Sequence, residues 1–295
     1  MYTNEIGNEF NRETMNYLRP HLLEDALQWL ATRQPLVMAG CTDIYPTTQA
    51  PSLDGPLLDI TALEGLRGIT VADGWRRFGA ATTWDDVLQA DLPPSYRMLK
   101  QAAREIGAVQ IQVSGTIGGN LCTASPAADS VPCLMALDAE VELASVGGSR
   151  RLPLADFLTG PRQTALRPDE LLVAIHVPPH AEAGLSGFAK LGARRYLVIS
   201  IAMAAVRLEV EDGRIKDAAV SVGACAPVAS RQTGLESRLV GRRRDDIDAL
   251  ATEAMPMIAD SLSPIDDVRA SAGYRRQAAA ELAWRSIRSL CREAA

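Results

Sequence analysis

One stretch of the sequence, Ile111 to Pro132, combines glycines with hydroxyl and amide side chains. It reads IQVSGTIGGNLCTASPAADSVP, with Gly118 and Gly119 beside Thr116 and Asn120. Because glycine has no Cβ, backbone N–H groups can approach an anion closely there, and Thr and Asn side chains add neutral donors. The stretch predicts a cradle for a phosphate or a dinucleotide. A glycine-rich turn that serves only packing is the alternative.

The residues after the glycines predict the start of a helix. Ser125 fits an N-cap, Pro126 fits the first helical turn, and the helix should run to about Leu137. A helix start has free N–H groups and a partial positive charge, which favour phosphate binding. The stretch lacks the lysine of a P-loop, and its G-x-x-G-G-N order differs from the G-x-G-x-x-G of a Rossmann fingerprint. We therefore expect a ligand that is bound outside both of these motifs.

The segment GTIGGNLCTASPAAD resembles the second flavin-binding loop of the FAD-carrying medium subunit of molybdenum hydroxylases, the family of carbon monoxide dehydrogenase and xanthine dehydrogenase. A second match, Ala39 to Pro46, follows the predicted buried strand PLVMAG. The family has an A-G-G-T-D-L-like turn here, which wraps the FAD pyrophosphate. Cys41 replaces the second glycine: its N–H group remains available, but a backbone angle reserved for glycine would not be. The resemblance covers roughly residues 15 to 292.

The resemblance implies a set of cofactor-binding residues. They are Val37, Met38, Ala39, Gly40, Cys41, Thr42, Asp43, Ile44, Ile106, Thr116, Gly118, Gly119, Asn120, Thr123, Asp129, Leu172 and Lys190. The family places the glycine loops on the pyrophosphate and ribityl region, an aspartate on the cofactor at Asp129, and a basic residue reaching the flavin at Lys190. Asp129 would also suit the dipole of a helix N-terminus without any cofactor.

Two arginines, Arg194 and Arg195, fall in a loop that the family places beside the isoalloxazine ring. Positive charge there would raise the reduction potential of the flavin. A solvated basic turn is the alternative. The following residues, YLVIS, differ from the polar sequence often found in the family.

Composition limits the classes of protein to consider. The 295 residues are 47% hydrophobic and 22% charged, which fits a soluble globular protein with two cores. A net charge of −6 argues against binding to nucleic acid or to an anionic membrane surface. The first twenty residues lack the apolar core of a signal peptide, and the apolar run Tyr196 to Val206 is too short to span a bilayer. These features predict a cytoplasmic protein without a membrane span.

The cysteines and histidines are scattered. They are Cys41, Cys122, Cys133, Cys225 and Cys291, with His21, His176 and His180. No C-x-x-C or zinc-type spacing occurs, so we expect no disulfide framework, no metal site and no iron–sulfur cluster on this chain. No set of residues suggests catalysis on a substrate.

The order of apolar patterns predicts an α+β fold, because helices and strands mix without a βαβ rhythm. Helices are expected at 21–33, 84–89, 95–106, 125–137, 245–261 and 274–291, and strands at 35–40, 57–60, 69–71, 75–81, 141–144, 149–152, 171–177, 188–191, 198–210 and 215–222. The segment before the glycine cradle is expected to be extended. The resemblance implies an FAD-binding domain of the vanillyl-alcohol-oxidase type over 10–180, with subdomains of about 10–70 and 71–180. A smaller C-terminal α+β domain, an antiparallel sheet with helices, would follow over 184–293.

The resemblance further implies an electron-transfer subunit that holds FAD. A partner small subunit would carry [2Fe–2S] clusters, a large subunit would carry the molybdenum cofactor, and NAD, a quinone or oxygen would accept the electrons. An independent FAD oxidase is a first alternative, although the roughly 110 residues after residue 184 leave little room for a substrate domain. A scaffold subunit without cofactor is a second, against which the intact TIGGN loop argues.

Overall fold

A computed structural model describes residues 16–49 and 51–294 of the chain. Its strands are β1 (Tyr17–Leu18), β2 (Leu36–Met38), β3 (Leu57–Asp59), β4 (Ile69–Ala72), β5 (Trp75–Gly79), β6 (Glu140–Ser145), β7 (Gly148–Pro153), β8 (Leu158–Gly160), β9 (Gln163–Thr164), β10 (Leu171–Val177), β11 (Leu185–Leu191), β12 (Ala202–Glu211), β13 (Arg214–Gly223) and β14 (Ser230–Arg231). Its helices are α1 (Leu23–Arg33), α2 (Ile44–Thr47), α3 (Trp84–Gln89), α4 (Arg97–Glu105), α5 (Val109–Ser114), α6 (Ile117–Thr123), α7 (Ser130–Ala136), α8 (Leu154–Phe157), α9 (Thr233–Leu239), α10 (Ala251–Asp260) and α11 (Ala272–Glu293). The expected absence of a signal peptide and the start of the proposed FAD-binding domain concern residues 1–15, which lie outside the described residues.

The first sheet is small and parallel, with one helix against it. Its strands pair in the order β1-β3-β2. The apolar residues of α1 recur at the helical period, so that Ala26, Leu27 and Leu30 share a buried face with Leu58 of β3. The chain leaves this sheet at Met38, where the first glycine motif begins.

The second sheet is antiparallel and has β10 at its centre. Its order is β4-β5-β10-β6-β7, and every residue of β10 is buried, as in a strand covered on both faces. A β-bulge shifts the register with β6 between Leu172 and Ala174. Bulges change the direction of neighbouring side chains, and Leu172 lines the site described below.

Short helices, α3 to α7, lie between β5 and β6 of the second sheet. Thr83 caps α3: its side chain accepts from the N–H of Asp86, whose carboxylate accepts from the N–H of Thr83. This capping box explains why the helix begins at Trp84. Thr116 caps α6 in a similar way by accepting from the N–H of Gly119. The following helix, α7, is buried along its whole length.

The C-terminal part has an antiparallel sheet and its own core. The order is β11-β12-β13-β14; α9 and α11 pack against this sheet, and α10 packs against α9 and α11. Asp212 and Gly213 form the turn between β12 and β13, and both have positive φ (51° and 71°). Two such residues are typical of the type I′ turn that matches the twist of a hairpin. Ser271 caps the long helix α11, which buries Trp284 and Ile287.

Helix α7 joins the two parts of the chain. At its N-terminal end the Asp129 carboxylate accepts from Lys190 and Ser200, each at 2.6 Å. At its C-terminal end Arg207 donates to the Ala136 carbonyl, and Arg231 donates to the Met135 carbonyl. Cations at the last carbonyls of a helix interact favourably with its dipole. Both ends of α7 are therefore fixed by residues of the C-terminal part.

The α+β fold predicted from the sequence is confirmed, and four local predictions are wrong. The strand expected at 198–210 begins only at Ala202, because the residues before it belong to a loop whose last residue, Ser200, donates to the Asp129 carboxylate. Residues 109–114, expected to be extended, form α5, and the glycines lie within helix α6. The helix expected from Ser125 begins at Ser130, because Ala124 ends α6 in the left-handed conformation (φ 46°) and residues 125–128 form a turn. The helix expected at 245–261 is a 3-10 turn, Arg244–Leu250, followed by α10. Within residues 16–49 and 51–294, no helix is both long and apolar enough to cross a membrane.

Candidate functional site

A cavity of about 440 Å³ lies between the two sequence motifs. We call residues 39–44 the first loop and residues 115–123 the second loop. Both loops line this first cavity, together with Leu171 and Leu172 of β10 and Ile106 after α4. A cavity of this size is within the range of small-molecule sites. None of its described lining residues is Lys, Arg or His, so an anion bound there would be held by neutral donors.

The first loop carries backbone donors without a partner. Among the described residues, the N–H groups of Gly40, Cys41, Thr42 and Asp43 donate to no acceptor. Cys41 has φ of 57°, whereas Gly40 is not in the left-handed region. Successive N–H groups in a turn of this kind form a concave site for an anion. The first loop therefore has the donors that a pyrophosphate needs.

The second loop uses its N–H groups differently from our expectation. Ile117 donates to the Thr82 carbonyl (2.9 Å), Gly118 donates to the Ala80 carbonyl (2.9 Å), and Gly119 donates to the Thr116 side chain. The first turn of α6 is thus already satisfied by the protein. The second loop can contribute side chains, close backbone approach and the N–H of Thr116, which donates to no acceptor among the described residues, whereas the run of consecutive free donors lies in the first loop.

The glycines of the two loops have different roles. A Cβ on Gly40 would lie 1.9 Å from the Ser114 carbonyl oxygen, and one on Gly118 would lie 2.7 Å from Ala80. These glycines allow the backbones to pack closely. A Cβ on Gly119 would meet only the Thr116 side-chain oxygen, at 2.9 Å. Gly119 is therefore the glycine least required by packing, and it lines the first cavity.

Polar side chains connect the loops with each other and with α7. Thr123 donates to the Asp43 carboxylate at 2.9 Å, which joins the second loop to the first. Ser130, in the first turn of α7, donates to the side-chain oxygen of Asn120 at 2.6 Å. The preceding residue, Asp129, holds Lys190, so one helix start contacts both the second loop and the C-terminal part.

A buried carboxylate borders the apolar side of the first cavity. Glu170 accepts two hydrogen bonds from Arg150 (2.7 and 2.8 Å) and one from the N–H of Arg167. The Arg150 guanidinium keeps the pKa of Glu170 below its ordinary value. In the first loop, burial raises the pKa of the Cys41 thiol. Both groups are therefore in their ordinary neutral-pH states, Glu170 ionised and Cys41 protonated.

A second cavity, of about 580 Å³, lies between α4 and the C-terminal part. Its basic residues are Arg104, Lys190, Arg194 and Arg195, and Glu105 is its acidic one. Arg194 donates to the Leu197 carbonyl, and Arg195 stacks over Tyr196 at 5.1 Å. The two arginines suspected from the sequence thus lie at a cavity wall, with their local contacts inside their own loop.

The structure brings most of the predicted residues to one place. Fourteen of the seventeen line the first cavity: Val37, Ala39, Gly40, Cys41, Thr42, Asp43, Ile44, Ile106, Thr116, Gly118, Gly119, Asn120, Thr123 and Leu172. Met38, Asp129 and Lys190 do not. Met38 lies in β2 with its side chain buried, and Lys190 lines the second cavity. Asp129 contacts Lys190 and Ser200.

Several lining residues were not predicted from the sequence. They include Trp84, Ile111, Cys122, Leu166 and Glu170. Trp84 follows a capping residue and Ile111 precedes the glycines, but nothing in their spacing indicates a shared cavity. Among the described residues, no group of three or more His, Cys, Asp or Glu side chains could hold a metal ion.

Comparison with known proteins connects this geometry to a family. Residues 9–180 match the FAD binding domain in molybdopterin dehydrogenase, and residues 188–290 match the CO dehydrogenase flavoprotein C-terminal domain. The first match contains both loops and the first cavity. The chain belongs to the FAD-binding medium subunits of the molybdenum hydroxylases.

Relatives in this family match over most of the chain. A putative xanthine dehydrogenase FAD-binding subunit of Escherichia coli is 35% identical over 226 residues, 73% of this chain and 76% of that protein. The nicotine 6-hydroxylase medium subunit of Paenarthrobacter nicotinovorans is 31% identical and covers 92% of this chain and 96% of its own length. Among solved structures, a reconstituted CO dehydrogenase from Oligotropha carboxidovorans matches with a TM-score of 0.86, 26% identity and coverage of 95% and 98%.

Proposed function

We propose that this chain transfers electrons through a bound FAD within a molybdenum hydroxylase complex. Electrons would arrive from [2Fe–2S] clusters on a small subunit, after a large subunit with molybdenum cofactor has oxidised the substrate. They would leave to an external acceptor such as NAD, a quinone or oxygen. When bound, FAD supplies the electron-carrying chemistry that protein side chains lack.

One observation carries this proposal: four consecutive residues that line the first cavity, Gly40 to Asp43, have N–H groups without an acceptor among residues 16–49 and 51–294. Gly40, Cys41 and Thr42 are half-buried, and backbone donors that are shielded from water usually have a partner. A pyrophosphate would satisfy them without any cation, which fits the absence of basic side chains among the described lining residues. Thr116, Asn120 and Thr123 add neutral side chains from the second loop.

The two cavities suggest how the cofactor would extend. Leu172 and Ile106 offer apolar surface in the first cavity, and Ile106 directly follows the α4 residues that line the second cavity. Lys190 would act from the second cavity, held in place by Asp129. We therefore propose that Asp129 acts on the cofactor site chiefly by orienting Lys190. The other predicted binding residues keep their proposed direct roles, except Met38, whose side chain lies in the core.

The domain limits remain part of the proposal. We place an FAD-binding domain at 10–180, in two subdomains of about 10–70 and 71–180, and a C-terminal domain at 184–293.

All five cysteines are free, which suits the reducing cytoplasm as the proposed location.

The test is anaerobic reduction of the flavin. The purified chain should bind one FAD non-covalently, seen in its visible absorption spectrum. With the iron–sulfur and molybdenum subunits and a substrate of the complex, that absorption should bleach. With substrate and this chain alone, it should not. Adding one partner subunit at a time tests the order of electron transfer, because the flavin should bleach only when both the molybdenum and the iron–sulfur subunits are present.

Two results would contradict the proposal in different ways. Bleaching by an alcohol or a hydroxy acid without partners would indicate an independent oxidase. A folded chain that binds no FAD, even with FAD in large molar excess over the protein, would indicate a scaffold subunit. A Gly119→Val variant is the control for specific binding, because the Cβ that it adds would meet only the Thr116 side chain.

A further inference from the structure

The 192–200 loop connects β11 to β12 and forms part of the second cavity. Gly192, Arg194, Arg195 and Val198 line that cavity. The ends of the loop meet where the N–H of Ile201 donates to the Leu191 carbonyl at 2.8 Å. The middle of the loop is exposed, so its position depends on how these ends are held.

A residue of the N-terminal part of the chain, Asp129, holds both ends of the loop. The Asp129 carboxylate accepts from Lys190, just before the loop, and from Ser200, its last residue, each at 2.6 Å. Asp129 and Ser200 are both buried. A single carboxylate thus joins both sides of the loop base.

The other support is Arg275, in the first turn of α11. Its side chain is only 4% exposed. It donates to the Ile201 carbonyl at 2.7 Å, to the Ala224 carbonyl at 3.3 Å and to the Asp267 carboxylate at 2.6 Å. Ile201 directly follows the loop, and Ala224 directly follows β13. The guanidinium therefore fixes the ends of two neighbouring chain segments at once.

Asp267 orients this guanidinium. It accepts from the N–H groups of Arg269 (2.8 Å) and Ala270 (3.2 Å) as well as from Arg275. A buried guanidinium is costly unless it is paired and hydrogen-bonded. The planar fork of arginine can reach several acceptors in fixed directions, whereas the single ammonium group of lysine cannot reproduce that geometry.

We propose that Arg275 is a positioning residue for the 192–200 loop: by holding the Ile201 carbonyl, it keeps the loop against the second cavity and so sets how an electron acceptor reaches the cofactor. The positioning itself follows from the contacts of Arg275. Its effect on the acceptor rests on the proposed function.

Limited digestion with trypsin tests the positioning, because the loop contains Arg194 and Arg195 as cleavage sites. Arg275→Lys and Asp267→Asn should each speed cleavage at these sites by about tenfold, since each removes charged hydrogen bonds that hold the loop base. Arg276→Met is the matched control. Arg276 is the next residue of α11, is exposed, and donates to the Leu262 carbonyl instead. Cleavage after Arg238 in α9 reports unfolding of the whole chain.

A second measurement tests the effect on the acceptor. The FAD-loaded chain is reduced with dithionite, and its reoxidation by ferricyanide is followed in a stopped-flow instrument. Arg275→Lys should change the second-order rate by threefold or more while the FAD content stays at the level of the wild type and of Arg276→Met.

The outcomes separate the two proposals. Unchanged cleavage at Arg194 and Arg195 in both folded variants, or an equal increase at Arg238, would overturn the positioning role. Faster loop cleavage with unchanged reoxidation would overturn its role toward the acceptor. A wild-type chain that binds no FAD would contradict the proposed function. The cleavage experiment would still decide whether Arg275 positions the 192–200 loop.

Discussion

The Thr123 hydroxyl donates a hydrogen bond of 2.9 Å to the Asp43 carboxylate, joining two loops that are 80 positions apart in sequence. Residues of β2 and of the first loop line the first cavity together with residues of α6. This contact makes the geometry of the first loop depend on the second.

Thr123→Val should therefore weaken FAD binding by about threefold to tenfold, corresponding to about 0.5–1.5 kcal/mol for a lost hydrogen bond. Titration of the apo chain with FAD measures this. Thr32→Val is the control, since the Thr32 hydroxyl donates only to carbonyls within α1. Equal affinity for the wild type and Thr123→Val would show that the contact does not support the site.

Gly119→Val should abolish FAD binding in a folded chain. The Cβ of the new side chain would meet only the Thr116 side-chain oxygen, and residue 119 lines the first cavity. Gly118→Val should instead lower the free energy of unfolding by about 1–3 kcal/mol or more, because its Cβ would lie 2.7 Å from the Ala80 backbone. Flavin content and thermal unfolding distinguish the two effects.

A core variant completes that comparison. Leu134 of α7 is fully buried, so Leu134→Ala should cost about 2–5 kcal/mol of stability. The folded fraction should still bind FAD. If Gly119→Val lost as much stability as Leu134→Ala, its missing flavin would be explained by unfolding, and the cradle would have no support from this variant.

Cys41→Gly should stabilise the apo chain by about 0.5–1 kcal/mol. Cys41 has φ of 57°, a conformation that disfavours side chains but not glycine. Cys122→Gly, inside helix α6, should lose a similar amount because glycine is a poor helix former. Urea unfolding curves with unchanged slope would measure both. A lower midpoint for Cys41→Gly would mean that the thiol contributes more than the strain costs.

The same variant tests how the flavin is attached. Neither loop offers a histidine, and the Cys41 thiol donates to the Ala39 carbonyl at 3.5 Å. Trichloroacetic acid should therefore release FAD from the wild type and from Cys41→Gly alike. Flavin that stays with the wild-type pellet and leaves the variant would reveal a covalent bond to Cys41.

Glu170 should make stability depend on pH. Arg150 depresses the pKa of Glu170 in the folded chain, so the stabilisation is fully present above the unfolded pKa of about 4.3 and is lost as pH falls through the lower folded value. Glu170→Gln should cost about 1–3 kcal/mol at pH 7. Urea unfolding at pH 7, 5 and 3.5 should show this difference shrinking only below about pH 4. Glu64→Gln, the same substitution at an exposed position, is the matched control.

Local signals in the sequence predicted some elements closely. Helix α3 has the predicted bounds, 84–89, and strand β10 has the predicted bounds because its nearly continuous apolar run is typical of a fully buried strand. The turn at Asp212 and Gly213 lies between the strands predicted at 198–210 and 215–222, and both residues have positive φ. The positions of most cofactor residues came from the resemblance to the family.

Other features depend on contacts between distant residues and could not be predicted. Serine is a common N-cap residue, so Ser125 was a plausible helix start. The helix α7 begins at Ser130 instead, directly after Asp129, whose carboxylate accepts hydrogen bonds from Lys190 and Ser200. Short helix α9 was not predicted either, although Glu236 within it accepts from the N–H of Val220 and from Arg231. A buried partner can select one helix start or one helix over equally plausible neighbours.

Both ends of α7 are held by residues that lie further along the chain. The cofactor site can therefore be completed only after those residues have been synthesised. A ribosome releases the two glycine loops long before it has made Lys190, Ser200, Arg207 and Arg231. Until then the Asp129 carboxylate and the last carbonyls of α7 have no partners from the C-terminal part. Stalled chains that end before residue 190 should therefore capture FAD poorly, and capture should rise once residue 231 has left the ribosome tunnel. Loading of the cofactor would then be among the last steps in making this protein, completed when nearly the whole chain can fold.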